Sequence, residues 1–138
     1  MPTLNHTMKL NHLSFPSLDV DATASFFARH LGGTVTPMGT SAVVKRHDAD
    51  IVIEDATGRR VDWPENFHIG FELPTAADVA RLHDEFRAAG ARMTTGLIRA
   101  PRGSRFFCEI PGGVLVEIHT REDAAAPYRA SFGLAPAA

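Results

Sequence analysis

A short segment with alternating side chains, headed by a histidine, occurs twice in this chain. The first copy is Asn11-His12-Leu13-Ser14-Phe15, followed by an acidic turn, a helical pattern and the pair Gly32-Gly33. The second copy is residues 67–73, followed by a turn, a helical pattern and Gly90. Alternation is typical of strands, and glycine commonly ends a helix, so the chain twice runs strand, helix, strands. This order predicts two pseudo-equivalent modules that face each other across a site.

The modules are predicted at about residues 9–57 and 66–120, within the single domain expected for 138 residues. Residues 19–31 and 75–89 have helical spacing, and Thr75 with Asp78 resembles a capping box. Strands are predicted in 9–15, in three short runs of 34–55, and in 67–73, 92–97, 105–110 and 114–119. The tail, 121–138, is expected to be either a short docked helix or partly disordered.

Composition excludes several classes of protein. The chain is 44% hydrophobic and 22% charged, and it lacks the run of about 18 apolar residues that a membrane span needs. A net charge of −2 without a basic stripe argues against a nucleic-acid partner. The single cysteine, Cys108, excludes an intramolecular disulfide and a cysteine-cluster zinc site. Residues 1–11 lack the apolar block of a secretory signal, so we expect a cytoplasmic protein.

Three residues are candidates for chemistry by type and position. His12 lies in the first strand, His68 opens the second module, and Glu117 lies in the last strand. Two imidazoles and one carboxylate can form an open site for a divalent metal, with positions free for water or substrate. Histidines and glutamates on strands are also commonly just solvated or hydrogen-bonded, and no local spacing rule joins these three.

Three motifs together resemble the vicinal oxygen chelate superfamily. They are His12-Leu13-Ser14-Phe15 leading to Asp19, His68-Ile69-Gly70-Phe71, and residues 106–113 leading to Val116-Glu117-Ile118. This superfamily includes glyoxalase I, extradiol dioxygenases, fosfomycin-resistance thiol transferases and bleomycin-binding proteins. The resemblance covers about residues 9–120. It implies an α+β fold of paired βαβββ modules, each with a cupped sheet, around a metal held by His12, His68 and Glu117.

A fourth ligand position of the resemblance falls on Glu54, in the segment Ile51-Val52-Ile53-Glu54-Asp55. If Glu54 binds, the ligand set implies octahedral nickel, zinc or manganese chemistry. If strand parity turns it outward, three ligands remain, as in the dioxygenases and thiol transferases, and Fe(II) becomes a candidate. Many of those enzymes carry a tyrosine where this chain has Phe107, which cannot donate a hydrogen bond.

Strand parity identifies the neighbours of the site. His119 follows Glu117 by two residues and is a candidate general base or acid, and Glu72 shares a face with His68 and is a second candidate base. Ser14 shares the His12 face and is a candidate substrate contact. Arg99, Arg102 and Arg105 are predicted to form a basic loop that holds an anionic part of the substrate, although a merely solvated loop fits the pattern too.

The resemblance therefore predicts a metal-dependent, glyoxalase-like enzyme, with lyase or isomerase chemistry on a small substrate chelated through vicinal oxygens. The first alternative is an Fe(II) dioxygenase or a thiol transferase. The alternative from another class is a non-catalytic drug- or metabolite-binding protein of the bleomycin-resistance type, although such proteins tend to lack the metal triad. We also expect a homodimer, because cupped sheets have edges that need cover.

Overall fold

The computed structural model describes residues 4–136. The chain forms two compact units, one up to Asp62 and the other from Trp63 onward. Within the described residues, no helix is long and apolar enough to cross a membrane.

Unit 1 is a four-stranded mixed sheet with one helix packed on it. Its elements in chain order are α1 (Leu4–Thr7), β1 (His12–Ser17), α2 (Val20–Phe26), β2 (Thr34–Met38), β3 (Ser41–Lys45) and β4 (Asp50–Asp55). The strand order is β1-β4-β3-β2, with β1 parallel to β4 and the other pairs antiparallel. The sheet edges are therefore β1 and β2.

Local chemistry sets both ends of the helix in unit 1. The side chain of Asp19 accepts a hydrogen bond from the amide of Ala22 at 3.0 Å, which caps the first turn of α2. The helix continues in π geometry over Phe27–Leu31, where the amide of Gly32 donates to the carbonyl of Phe27 at 2.6 Å. Gly32 takes a φ of +88°, which favours glycine and ends the helix.

Unit 2 repeats this plan with one added strand. It contains β5 (Ile69–Glu72), α3 (Ala76–Ala88), β6 (Arg92–Met93), β7 (Ile98–Ala100), β8 (Gly103–Glu109), β9 (Leu115–His119) and α4 (Ala126–Ser131). The strand order is β5-β9-β8-β6, with β7 also paired to β8. As β1 does with β4, β5 pairs in parallel with β9. The predicted α+β fold of two βαβββ modules is confirmed.

The core of unit 2 lies between α3 and the sheet. Thr75 accepts a hydrogen bond from the amide of Asp78 at 3.0 Å, so the predicted helix cap forms. Val79 and Phe86 of α3 are fully buried, and the Phe86 ring meets Phe106 of β8 edge to face at 5.7 Å between centroids. Burial of these residues fixes the opposite face of β8 and β9 as the one open to a ligand.

Two local predictions are wrong. The strand expected over residues 92–97 is limited to Arg92–Met93, because Thr94 and Thr95 both donate their amides to the carbonyl of Phe107 and the chain turns there. The basic loop is in fact mostly a β-hairpin, with Arg99 in β7 and Arg105 in β8. The tail contains the short helix α4, and Arg129 of this helix donates hydrogen bonds to the carbonyls of Arg121 and Glu122, just after β9.

Candidate functional site

The open face of the unit 2 sheet carries four of the predicted site residues in two adjacent rows. In the first row Glu117 of β9 lies between Phe107 of β8 and Gly70 of β5. In the second row His119 lies between Arg105 and Glu72. Directly paired residues project to the same side of a sheet, and all residues of the two rows except Glu72 line one cavity of about 500 Å³. The cavity is lined by Asn66, His68, Gly70, Arg102, Gly103, Arg105, Phe107, Glu117, His119, Arg121 and Phe132.

His68 is oriented toward Glu117. Its Nδ1 lies 2.8 Å from the carbonyl oxygen of Asn66, which can only accept a hydrogen bond, so this nitrogen carries the proton. Its Nε2 lies 3.4 Å from Oε2 of Glu117. With the proton on Nδ1, the lone pair of a neutral imidazole is on Nε2, on the side that faces the carboxylate. This is the tautomer and orientation that metal-binding histidines commonly have.

Asn66 supports this orientation through its backbone. It is the one residue other than glycine with positive φ among the described residues, at +63°. Asparagine tolerates that region better than most side chains. Asn66 was not identified from the sequence, although it lies two positions before His68, where strand alternation would put both side chains on the same face.

His119 and Glu72 differ as candidate bases. The ring of His119 lies beside Gly70, where an added Cβ atom would be 3.8 Å from Nε2. Glu72 is bound through both carboxylate oxygens by Arg121, at 2.6 and 3.0 Å. These hydrogen bonds to Arg121 lower the pKa of Glu72, which makes its carboxylate a weaker proton acceptor. The geometry therefore favours His119 over Glu72 as a general base.

The three predicted arginines do not all line this cavity. Arg102 and Arg105 line the cavity, and neither guanidinium group has a hydrogen bond or an ion pair with the described residues. Arg99 instead lies 3.5 Å from the hydroxyl of Ser104, whose partner is the carboxylate of Asp123. Arg121 joins the cavity in place of Arg99. Its position could have been inferred from the alternation Glu117, His119, Arg121, had that alternation been followed past the strand end.

Two aromatic residues form apolar parts of the cavity wall. Phe107, at the position where the resemblance implies a tyrosine, meets the His68 ring edge to face at 5.3 Å between centroids. Phe132 comes from the tail, and the guanidinium carbon of Arg121 lies 5.3 Å from its ring centroid. No local sequence pattern indicated Phe132, because it follows α4 in a segment without strand or helix periodicity. Tyr128 is 39% exposed and does not line the cavity.

In unit 1 the remaining candidates share one face of the sheet. The hydroxyl of Ser14 donates to the carboxylate of Glu54 at 2.6 Å, so these side chains are on the same side of the β1–β4 pair. Alternation along β1 puts His12 on that side too, and its Nδ1 is 2.9 Å from the side-chain oxygen of Asn11. Glu54 is thus on the same face as His12.

A larger cavity of unit 1, about 780 Å³, has no such chemistry. It lies between α2 and the β2–β3 hairpin, and its carboxylates include Asp19 and Asp55. Asp19 caps α2, and Asp55 accepts from the amide of Thr57 at 2.9 Å. Because these carboxylates hold backbone groups, and because no histidine lines this cavity, it does not compete with the cavity of unit 2.

The chemistry of the donors fits a divalent metal ion. In neither unit do three histidine, cysteine, aspartate or glutamate side chains of residues 4–136 converge on one point. Unit 2 supplies one imidazole nitrogen and one carboxylate, 3.4 Å apart. Two ligands about 2.1 Å from a common ion at a tetrahedral angle are about 3.4 Å apart, so the pair has the spacing of two zinc-like ligands.

Known structures with the same fold align with about four fifths of this chain. A possible glyoxalase from Bacillus cereus aligns with a TM-score of 0.70 and 23% identity over 81% of this chain and 98% of its own. A lactoylglutathione lyase from Agrobacterium tumefaciens aligns with a TM-score of 0.64 and 17% identity over 80% of this chain and 92% of its own. A protein described as Oxidase ChaP-H2 aligns with a TM-score of 0.67 and 26% identity over 83% of this chain and 94% of its own.

No curated protein sequence matches the chain significantly. The model of the Glyoxalase/Bleomycin resistance protein/Dioxygenase superfamily, however, matches residues 9–118, which include all four candidate metal ligands and every strand of the two sheets except the last residue of β9. The match confirms the resemblance carried by the three motifs, and the chain belongs to this superfamily.

Proposed function

We propose that the protein is a metal-dependent, glyoxalase-like enzyme of the lyase or isomerase type, acting on a small substrate that chelates the metal through vicinal oxygens. The observation that carries this proposal is the pair in unit 2, in which Nε2 of His68 faces the carboxylate of Glu117 at 3.4 Å. His119 lies one residue pair further along the same face.

His68 and Glu117 are the proposed ligands from unit 2, and His12 is the proposed ligand from unit 1. Glu54 is the proposed fourth ligand, since its hydrogen bond with Ser14 puts it on the His12 face. The complete set comes either from one chain or from two copies of it. A bound divalent ion polarises the oxygens of a chelated substrate and stabilises the negative charge that develops on them.

The proposed work of the other residues follows from their surroundings. His119 accepts a proton from the substrate and returns it, because imidazole is the commonest general base and the competing carboxylate of Glu72 is held by Arg121. Phe107 excludes water from the side of His68 without offering a hydroxyl group. Gly70 has no side chain, which leaves space above the sheet beside His119.

Oxygen chemistry at Fe(II) is the second candidate. The 26% identity with a protein described as an oxidase favours it, as does the fact that two histidines and one carboxylate are a known Fe(II) ligand set. Phe107 counts against it, since the dioxygenases of the resemblance commonly use a tyrosine there. A pure binding protein is the third candidate.

Metal analysis separates these candidates. We expect protein purified without chelator to contain one divalent ion per site, with zinc, nickel or manganese supporting the lyase or isomerase and iron supporting the oxygenase. His68→Ala should lose the ion, whereas the matched control His47→Ala, at an exposed loop position, should keep it. A wild-type protein that takes up no divalent ion after metal addition would leave only the binding-protein candidate.

A further inference from the structure

We infer that the substrate is a small organic anion and that Arg105, with Arg102, selects it by binding its carboxylate or phosphate group. This inference rests on the proposed function for the chemistry at Glu117, but its evidence is the charge distribution in the unit 2 cavity. It assigns a substrate class and two specificity-determining residues to that cavity.

The cavity is cationic although the chain is not. The whole chain has a formal charge of −2. The cavity lining contains three arginines and the single carboxylate of Glu117. Arg121 is neutralised by its bidentate pair with Glu72. Arg102 and Arg105 therefore remain as positive charges without a partner among the described residues, facing a space large enough for a small molecule.

Arg105 is built into the cavity wall. It is the third residue of β8, paired with Ile98 of β7 on one side and with His119 of β9 on the other, and it is half-buried. A half-buried guanidinium has lost part of its hydration, and an anionic ligand can replace that hydration with two parallel hydrogen bonds. The arginines of α3, which lie outside the cavity, have acidic neighbours, because Arg81 pairs with Asp78 and Arg87 with Asp84.

The rows of the sheet set the distance between the two ends of the substrate. Arg105 belongs to the His119 row, one row from Glu117, and successive rows on one face are about 7 Å apart. An anionic group at Arg105 thus places the rest of the molecule across His119 toward Glu117 and His68. Phe107 and Phe132 supply apolar wall for the part between.

The test uses metal-free protein, so that it does not depend on the proposed metal. Benzoate is titrated into the isotopically labelled full chain, and amide shifts are followed by NMR, with uncharged benzamide as the matched ligand. We expect benzoate to shift the amides around Arg105, His119 and Arg121, and benzamide to bind at least about tenfold more weakly. Higher salt should weaken benzoate binding.

The protein variants isolate Arg105. Arg105→Met should weaken benzoate binding at least about tenfold. The benzoate affinity of Arg105→Lys should lie between those of Arg105→Met and wild type, because lysine keeps the positive charge but cannot donate two parallel hydrogen bonds. Arg87→Met removes the same charge from α3 outside the cavity and should bind benzoate as wild type does. An amide spectrum that retains the wild-type dispersion shows that each variant is folded.

The outcomes distinguish this inference from the proposed function. Equal binding of benzamide and benzoate, or equal loss in Arg105→Met and Arg87→Met, overturns the anion site while leaving the metal proposal standing. Benzoate binding that depends on Arg105 supports the anion site even in a protein that takes up no metal. Shifts that map to Arg92 and other surface arginines instead of the cavity also overturn it.

Discussion

Replacing Gly103 with alanine should destabilise the fold much more than the same change at Gly90. Gly103 begins β8 with a φ of +116°, and Gly90 follows α3 with a φ of +82°, so both positions are in the region that favours glycine. A Cβ atom at Gly90 would have no neighbour within 4 Å. At Gly103 it would overlap the carbonyl oxygen of Thr120, and it would lie 3.1 Å from the Thr120 carbonyl carbon.

The magnitude follows from separating the two effects. Forcing a Cβ atom into positive φ costs about 1 to 2 kcal/mol at either position. Overpacking against the backbone of Thr120 adds about 1 to 3 kcal/mol at Gly103 alone. Gly103→Ala should therefore lower the free energy of unfolding by about 1 to 3 kcal/mol more than Gly90→Ala does. For a chain of this length this corresponds to an additional fall in Tm of roughly 4 to 12 °C.

Urea unfolding followed by circular dichroism measures both variants against wild type. Gly103 also lies between Arg102 and Arg105, so the same variant should bind benzoate more weakly at temperatures where it is still folded. Equal destabilisation by the two alanines would show that β8 and Thr120 separate at little cost. The close approach of the two backbones would then not explain the glycine.

Four further predictions concern the site, the stability of the fold and the oligomeric state. His119→Ala should lower turnover by a factor of about 10² to 10⁴ with metal content unchanged, whereas Glu117→Ala should lose the metal. Unchanged turnover in His119→Ala, measured once a substrate is known, would make Glu72 the next candidate for the general base. Metal affinity measured by calorimetry should fall below roughly pH 6, because histidine ligands must be deprotonated, and a flat curve from about pH 5 to 8 would argue against histidine ligation. Arg121 lowers the pKa of Glu72 from its ordinary value of 4.5, so this ion pair stabilises the fold fully above that pH, and its contribution is lost as the pH falls through the lowered pKa. Glu72→Gln should lower the free energy of unfolding by at most about 1 kcal/mol at pH 7, since both side chains are about a third or more exposed. A loss of stability that persists at about pH 2 would contradict this role of the pair. Sedimentation at micromolar concentration should show a homodimer, and a species of only 15.0 kDa would exclude it.

The sequence by itself determined most of the elements, although not the β7–β8 hairpin, and the faces on which the candidate residues lie. Alternation around His68 and Glu117 is a local property of a strand, and helical spacing closed by glycine is a local property of a helix, so both can be read from adjacent residues. The order of these elements, repeated twice, was sufficient to predict the α+β fold of two βαβββ units. The superfamily motifs then identified which histidines and carboxylates to consider.

Only the tertiary structure decided which of these residues lie close together in unit 2. The register that sets Glu117 between Gly70 and Phe107 joins segments far apart in the chain, and no short pattern encodes it. The same long-range packing brought Arg121 and Phe132 into the cavity and paired Glu72 with Arg121. It also directed Arg99 toward Ser104, because the chain turns after Met93 and forms a hairpin that local propensity did not indicate. Side-chain alternation is a property of one strand, whereas charge pairing and cavity shape depend on which strands become neighbours.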